Sequence, residues 1–385
     1  MISFDNTENA FKSKSNSDLS RSYWLFKMVS NPVLVNFGAK VAPLGLTIGF
    51  KGLIKSTIFK QFVGGETINE CDTTIAELGK YNIGTILDYS VEGKESESDF
   101  DACCKETIET IHKANGNKHI PFSVFKVTGL ARFALLEKVS SGEILSDAET
   151  KEYETVKQRV YLICKEANLS NQALFIDAEE SWIQPAIDAL ADENMLLFNK
   201  EKAIVYNTFQ LYRKDRLEFL KHTIAQGKAN GIHIGAKLVR GAYMEKERAR
   251  ATEKNYPSPI QDTKENSDSD YNLALEQCLK NIDMIGLCAG THNEKSSLFL
   301  VDLLSKYSIS ADDKRIYFSQ LLGMSDHISY NLASSNYNVA KYVPYGPIEE
   351  VLPYLLRRAD ENTSVAGQTS RELGLIIKEK LRRKN

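Results

Sequence analysis

Polar side chains recur at the ends of short apolar runs along this chain. Asp88 and Glu92, Lys126, Asp177, Gln210, Lys237 and Arg240, Thr291 and His292, Gln320, and Tyr342 each close or follow such a run. One alone would be a cap or a filler. A set of them, one for every run, is more than a buried strand needs, and it suits a pocket built at one end of a sheet. The second feature is PIEEVLPYLLRRADEN, near the C-terminus. Pro347 suits a first helical turn, and Glu349 and Glu350 suit its positive end. Val351, Leu355 and Ala359 belong to an apolar face, while Tyr354, Arg357, Arg358 and Glu361 fall at i, i+3, i+4 and i+7 on the other. Two guanidinium groups beside a tyrosine make a clamp for a carboxylate, each binding it in a two-pronged geometry. The commonplace meaning of the same stripe is a solvated face with an Arg357–Glu361 pair. Spacing alone leaves both readings open.

The runs that must position these residues are Gly84–Ser90, Phe122–Thr128, Ala173–Asp177, Ala203–Gln210, Gly235–Val239, Ile285–Thr291, Ile316–Leu321 and Val339–Tyr345. They are rich in β-branched and aromatic residues without strict alternation, as strands buried on both faces are. Most intervals between them can hold the crossover helix that parallel strands require. The pattern predicts an α/β fold, a distorted (βα)8 TIM-type barrel, whose strand C-termini form the mouth where barrel enzymes build their sites. No G-x-G-x-x-G follows any run, so the dinucleotide-binding alternative lacks its phosphate loop.

Residues 1–80 read as an N-terminal helical arm and 81–385 as the barrel. Within the arm, Ser22–Val29 and Ile54–Val63 look helical, and Glu66–Lys80 carries Ile68, Cys71, Ile75 and Leu78 at helical spacing. Residues 1–18 are polar and expected to be mobile. Residues 253–270, rich in turn formers, are expected to form a loop over the barrel mouth.

The net charge of −3 and the absence of an arginine stripe or zinc-finger spacing give no reason to expect nucleic acid. The six cysteines form no C-x-x-C pair and read as reduced, mostly buried thiols. No H-E-x-x-H or His/Cys cluster supports a metal, and no G-x-S-x-G supports a triad. The first twenty residues resemble no secretory signal, and no apolar run approaches the ~20 residues that span a bilayer. The expected location is the cytoplasm, with peripheral contact at the inner face of the membrane as a further reading. That reading rests on Leu19 to Gly65, which has no Asp or Glu but carries Arg21, Lys27, Lys40, Lys51, Lys55 and Lys60. The favoured meaning is a helical segment packed on the barrel with solvated lysines. The sharper one is a basic amphipathic surface that touches anionic lipid.

KLVRGAY (Lys237–Tyr243), THN (Thr291–Asn293), FSQLLGM (Phe318–Met324), YVPYG (Tyr342–Gly346) and YLLRRADEN (Tyr354–Asn362) resemble, in order, the motifs of the proline dehydrogenase family. QFVGGET (Gln61–Thr67), FKVTGL (Phe125–Leu130) and FIDAEE (Phe175–Glu180) do so too. The resemblance covers roughly residues 55–365 and implies a monofunctional, FAD-dependent enzyme on a distorted barrel. The implied reaction takes L-proline to Δ1-pyrroline-5-carboxylate by hydride transfer to flavin N5, with a membrane quinone as electron acceptor, as the first step of proline catabolism. It implies that Lys126, Arg357 and Arg358 bind the proline carboxylate. Tyr342 and Tyr354 would pack around the ring with Leu321 nearby, and Glu92 would pair with Arg357 as a gate. Asp177, Ala178, Gln210, Lys237, Arg240, Gly241, Ala242, Tyr243, Thr291, His292, Asn293 and Glu361 would line the FAD or brace its neighbours. Lys237 stands where some members carry arginine, a point charge in place of a planar fork. Tyr342 implies a preference for proline over 4-hydroxyproline. Two rivals from the residues alone are a Schiff-base aldolase using Lys126 or Lys237 and a barrel that only binds an amino acid.

Overall fold

Short apolar runs separated by capped helices give eight parallel strands: β1 Ile83–Tyr89, β2 Phe122–Lys126, β3 Ala173–Asp177, β4 Val205–Gln210, β5 Ile234–Val239, β6 Ile285–Gly290, β7 Ile316–Leu321 and β8 Val339–Tyr345. They close into a barrel in sequence order, the α/β architecture that the run pattern predicts. The computed structural model describes residues 2–29, 52, 55–90, 95–355 and 368–384. The helices are α1 Thr7–Ala10, α2 Asn16–Val29, α3 Asp72–Gly79, α4 Glu97–Ala114, α5 Phe133–Ser141, α6 Asp147–Leu169, α7 Gln184–Phe198, α8 Arg216–Asn230, α9 Met244–Lys254, α10 Lys264–Lys280, α11 Glu294–Lys306, α12 Asp326–Ser334, α13 (348–355) and α14 Gln368–Arg382. Compactness divides the chain into one unit of residues 93–319 and another made of residues 1–92 with 320–385. The sequence division at residue 80 falls elsewhere.

In the 93–319 unit, helix starts follow local chemistry. Ser96 caps α4, Ser146 forms a capping box with Glu149 on α6, and Thr263 caps α10, each oxygen taking a free N–H of the first turn. Gly142 and Gly231 end α5 and α8 in the left-handed conformation. Lys126 pairs in register with Asp177, Thr208 with Lys237, and Lys237 with Cys288. Phe122, Phe175, Tyr206 and Tyr317 fill the lower part of this unit's strands. The first two rings stack at 4.3 Å and Tyr206 and Tyr317 meet Phe122 edge-on. Gly286 leaves room for that filling, since a Cβ there would lie 2.1 Å from the Tyr206 hydroxyl.

The other unit pairs β1 with β8 along seven residues, from Ile83↔Val339 to Tyr89↔Tyr345. Its core joins both ends of the chain: Phe11, Leu19, Leu25, Phe26 and Phe62 bury with Val351, Leu355, Leu375 and Ile376. Each such side chain contributes roughly 1.5–3 kcal/mol by leaving water. Helix α1 packs on α12, and α2 on α14.

Several sequence expectations shift. Of the segment 1–18 expected to be loose, the described residues 2–18 are packed, because Phe4, Ala10 and Phe11 are buried and Asn6 caps α1. Asn9 also donates to Asn331 at 2.8 Å. The helix expected from Glu66 starts at Asp72, after turns. Of the second arm helix 55–63 is described, a π-helical turn Lys55–Phe59 running into Lys60–Phe62, with Val63 extended. The expected loop 253–270 is helical at both ends, since Thr263 caps a helix whose first turns use 264–270. Residues 30–51, 53 and 54 of the basic run 19–65 lie outside the described residues. None of the six cysteines is in a disulfide, and all but the half-buried Cys103 are buried. Among the described residues no helix is long and apolar enough to cross a membrane.

Candidate functional site

Above the aromatic filling, the strands of the 93–319 unit end in charge. Lys237, deep in β5, donates to the Asp177 carboxylate at 2.5 Å, and its ammonium lies 5.3 Å from the Phe175 ring centre. Both residues are buried. A buried ammonium without a partner would be strongly unfavourable, so the carboxylate in register two strands away is what allows the lysine there. Lys126, in register with Asp177 at the end of β2, is half-buried.

Gln210 closes β4 and is buried. Its Nε2 donates to the Glu179 carbonyl at 2.9 Å, while its Oε1 has no hydrogen-bond partner. A buried acceptor left in this way can take a donor from a ligand. Glu179 itself lies two residues past β3. Its carboxylate accepts from the Thr128 N–H at 3.0 Å and from the Thr128 hydroxyl. Burial, aided by the neighbouring Glu180, raises its carboxyl to about 7 against the Thr128 bonds and the Lys126 charge. Beside it, Lys246 pairs with Glu180, and Ser181 gives both its N–H and its hydroxyl to the fully buried Glu247 at 2.6 Å. The loop after β3 is thus pinned by α9 along its length.

Arg240, just past β5, is fully engaged. It donates to Asp268 (2.6 Å), Thr291 (2.7 Å) and Ser296 (2.9 Å), and its guanidinium covers Tyr271 at 4.4 Å. Burial pushes the Asp268 carboxyl up, but Lys264 and Arg240 outweigh it and hold it below the ordinary carboxylate range. Gly241 has φ +138°, and a Cβ there would lie 2.3 Å from the Tyr212 ring, so only glycine serves. Gly241 and Ala242 are exposed, and Tyr243 is half-buried ahead of α9. Thr291 and Asn293 hold the start of α11: Asn293 is its N-cap, and its N–H donates to Thr291 Oγ1 at 3.1 Å. His292 between them and Ala178 beside Asp177 are half-buried.

Of the expected site residues, the 93–319 unit thus carries Lys126, Asp177, Ala178, Gln210, Lys237, Arg240 to Tyr243 and Thr291 to Asn293, at or just past strand ends. The other unit carries Leu321, Tyr342 and Tyr354. Leu321 ends β7 and packs on the apolar core that includes Tyr354. Tyr342 is buried in β8, and its carbonyl accepts from the Leu322 N–H at 2.8 Å. Asp88 accepts from Ser90 at 2.8 Å, and Gln320 accepts from Ser329 at 2.8 Å. Glu92, Arg357, Arg358 and Glu361 lie outside the described residues.

Two groups escaped the sequence reading. Glu179 sits inside FIDAEE, and its position two residues beyond a strand was the available signal. Lys341 in β8 is fully buried and donates to Asp326 at 2.9 Å and to the Met324 carbonyl at 2.5 Å, while Lys14 lies 3.4 Å from the same carboxylate. Burial raises the Asp326 carboxyl, but Lys341 and Lys14 overcome it and hold it at about 2. Nothing in the alternation of β8 distinguishes such a lysine from an exposed one.

The family model for proline dehydrogenase matches residues 71–371. Proline dehydrogenase 1, mitochondrial, of Dictyostelium discoideum is 32% identical over 98% of this chain and 74% of its own length. Carbapenem antibiotics biosynthesis protein CarD of Pectobacterium carotovorum is 34% identical over 86% of each chain. Among solved structures, proline utilization A from Bdellovibrio bacteriovorus, inactivated by N-propargylglycine, superposes with a TM-score of 0.75 at 20% identity. It covers 94% of this chain, which spans 41% of that one.

Proposed function

The chain belongs to the proline dehydrogenase family, and from that premise we propose that it oxidises L-proline to Δ1-pyrroline-5-carboxylate with FAD and passes the electrons to a membrane quinone. The observation that carries this reading is the polar set at the strand ends of the 93–319 unit, in which a buried amide oxygen has no donor. The donor set fits a flavin. Gln210 Oε1 would accept from the single N–H at the edge of an isoalloxazine. Lys237 and Arg240 would lie toward its electron-rich portion and its pyrophosphate, with the amides of the Thr291–Asn293 turn at the positive end of α11. Asp177, Ala178, Gly241, Ala242, Tyr243 and Glu361 would complete the holding set. When bound, the flavin supplies the acceptor for the hydride that leaves proline Cδ.

The rest of the work belongs to the protein. Lys126, Arg357 and Arg358 would bind the proline carboxylate by charge-assisted bonds and so fix the ring. Tyr342, Tyr354 and Leu321 would close around its apolar edge, and Glu92 would pair with Arg357. The amine must be unprotonated for the hydride to leave, and no strong acid is needed at the carbon. The Asp177 carboxylate would keep the Lys237 ammonium in place, so the positive charge is set before reaction rather than recruited during it. The family premise leaves the Schiff-base aldolase and the pure binder without support.

The test is an anaerobic spectrum. The purified protein, supplied with FAD, should be yellow and should bleach on adding L-proline. A protein that stays colourless with FAD, or a yellow one whose spectrum proline leaves unchanged, overturns the proposal.

A further inference from the structure

The buried Glu179 is tied on three sides. Its N–H donates to Gln184 Oε1 at 2.8 Å. Gln184 donates in turn to Asp188 at 2.9 Å, and the same carboxylate accepts from Asn207 at 2.9 Å and from Arg216 at 2.8 Å. All four are buried, so α7, β4 and α8 make a fixed anchor for the loop after β3. From that anchor two ties run toward the site. The Glu179 carboxylate takes both donors of Thr128, in the short 3-10 turn Val127–Gly129 that follows Lys126. Its main-chain carbonyl takes Gln210 Nε2 at 2.9 Å.

Each tie decides something about a neighbour. A carbonyl only accepts, so it holds the NH2 end of the Gln210 amide and leaves Oε1 to accept from elsewhere; turned over, the amide would lose this bond and offer a donor instead. Thr128 is joined to Lys126 through the fully buried Val127, so fixing Thr128 fixes the end of β2. We propose that Glu179 is a positioning residue, which orients Gln210 and holds the turn that carries Lys126, and whose carboxylate answers to a carboxylate bound at that lysine. This deepens the reading above and rests on it, since that reading gives Lys126 the substrate carboxylate and Gln210 the edge of the flavin.

The surroundings of Glu179 hold few charges that bear on it. Burial and Glu180 raise its carboxyl to about 7, while Lys126 acts against them. Glu180 is paired with Lys246 of α9, Asp177 on β3 with Lys237, and Asp188 behind Gln184 with Arg216. The turn after β2, α7 and β4 meet Glu179 with Thr128, Gln184 and Gln210, which carry no charge. The Thr128 tie survives a change of proton, because a hydroxyl donates to a carboxylate and accepts from a carboxylic acid. A second carboxylate brought to Lys126 repels the ionised form of Glu179 and so favours the protonated one. By reciprocity, Glu179 takes up a proton when the carboxylate binds, and carboxylate affinity falls as pH rises through about 7.

The probe is cyclopentanecarboxylate, which keeps the ring and the carboxylate of proline but has no amine to titrate. Its binding to the full chain supplied with FAD is followed by calorimetry in buffers of different ionisation heat. A tenfold coupling between the two carboxylates corresponds to an uptake of about half a proton per probe at about pH 7.5, and to an affinity nearly tenfold lower at about pH 9 than at about pH 6. Glu179→Gln keeps the Thr128 tie without the titration. It should bind the probe as the native chain does at about pH 6, with that uptake and that pH dependence gone. Glu179→Ala, which drops the tie, should weaken the probe about tenfold at about pH 6. A native chain whose proton uptake and pH dependence match those of Glu179→Gln overturns the inference, and that comparison stands even where the alanine variant does not fold. So does a folded Glu179→Ala that binds like the parent. Native flavin bleached by proline, with no uptake on binding the probe, would remove this inference and leave the proposed function. Uptake that depends on Glu179, with no bleaching by proline, would do the reverse.

Discussion

The two compact units bury charge in different ways. Asp326 is matched twice over: Lys341 and Lys14 face its carboxylate, and main-chain carbonyls take up the remaining protons of Lys341. That carboxyl is held at about 2, as a permanently ionised clamp should be. Around Asp177 the cluster is incomplete. One ion pair is formed, but Gln210 keeps a buried oxygen without a donor, and Glu179 is raised to about 7. A carboxylate held by two ammonium groups fastens a fold, whereas a buried amide oxygen with no donor beside strand-end charges suits a ligand.

The contrast can be broken most severely at the clamp. Lys341→Met leaves Asp326 buried with only Lys14, and should destabilise the protein by about 3–5 kcal/mol in urea unfolding. It should also raise the pH of acid unfolding. The native Asp326 value lies below the unfolded one, so its contribution is full above the ordinary carboxylate range and fades as pH falls toward about 2. A variant as stable as the parent would show that the cluster is no clamp.

Glu179 should act with the opposite sign. Its native value is raised, so the contribution of the protonated form is full below the unfolded carboxyl value. It is lost as pH rises through about 7. The loss is on the order of 3–4 kcal/mol at most. Glu179→Gln should flatten the stability profile between those limits, and unchanged curvature would mean that the carboxyl titrates normally.

At the proposed carboxylate site the effects should be on turnover and not on stability. Lys126→Met, Arg357→Ala or Arg358→Ala should each remove about 1.5–3 kcal/mol of proline binding, read as a raised KM with unfolding midpoints unmoved. The smallest effect concerns Tyr342. The native protein should prefer L-proline over 4-hydroxyproline by at least about tenfold in kcat/KM, the size of a modest steric penalty. Comparable turnover of the two substrates would show that Tyr342 does not crowd the ring.

Most of the barrel was legible because buried parallel strands leave unbroken apolar runs, and β3, β7 and β8 match their runs end to end. The errors have local causes. Ala203 and Ile204 fall outside β4 because the Asn199 side chain takes the N–H groups of Ile204 and Val205 at 3.0 and 2.8 Å. Thr128 leaves β2 because its N–H turns to Glu179. The start of α10 was hidden in a polar run whose one signal was the capping Thr263. At the site, types and spacing pointed to Lys237 and Arg240 as cations but not to Asp177 and Asp268 as their counterions. Those partners are distant in sequence and meet only through strand register and helix packing. Glu179 and Lys341 were missed for a related reason: a charged residue in a sequence carries no mark of the burial that changes its proton affinity.

The pairing of β1 with β8 sets an order on synthesis. Residues 93–319 are contiguous and can collapse as soon as they leave the ribosome, whereas one edge of the first strand must wait for β8, which is made only after that whole stretch. During that interval the nascent chain carries an unmatched backbone edge at Ile83–Tyr89 and the uncovered rings of Phe11, Phe26 and Phe62. The stretch of time between making β1 and making β8 is therefore when this chain has most need of a chaperone.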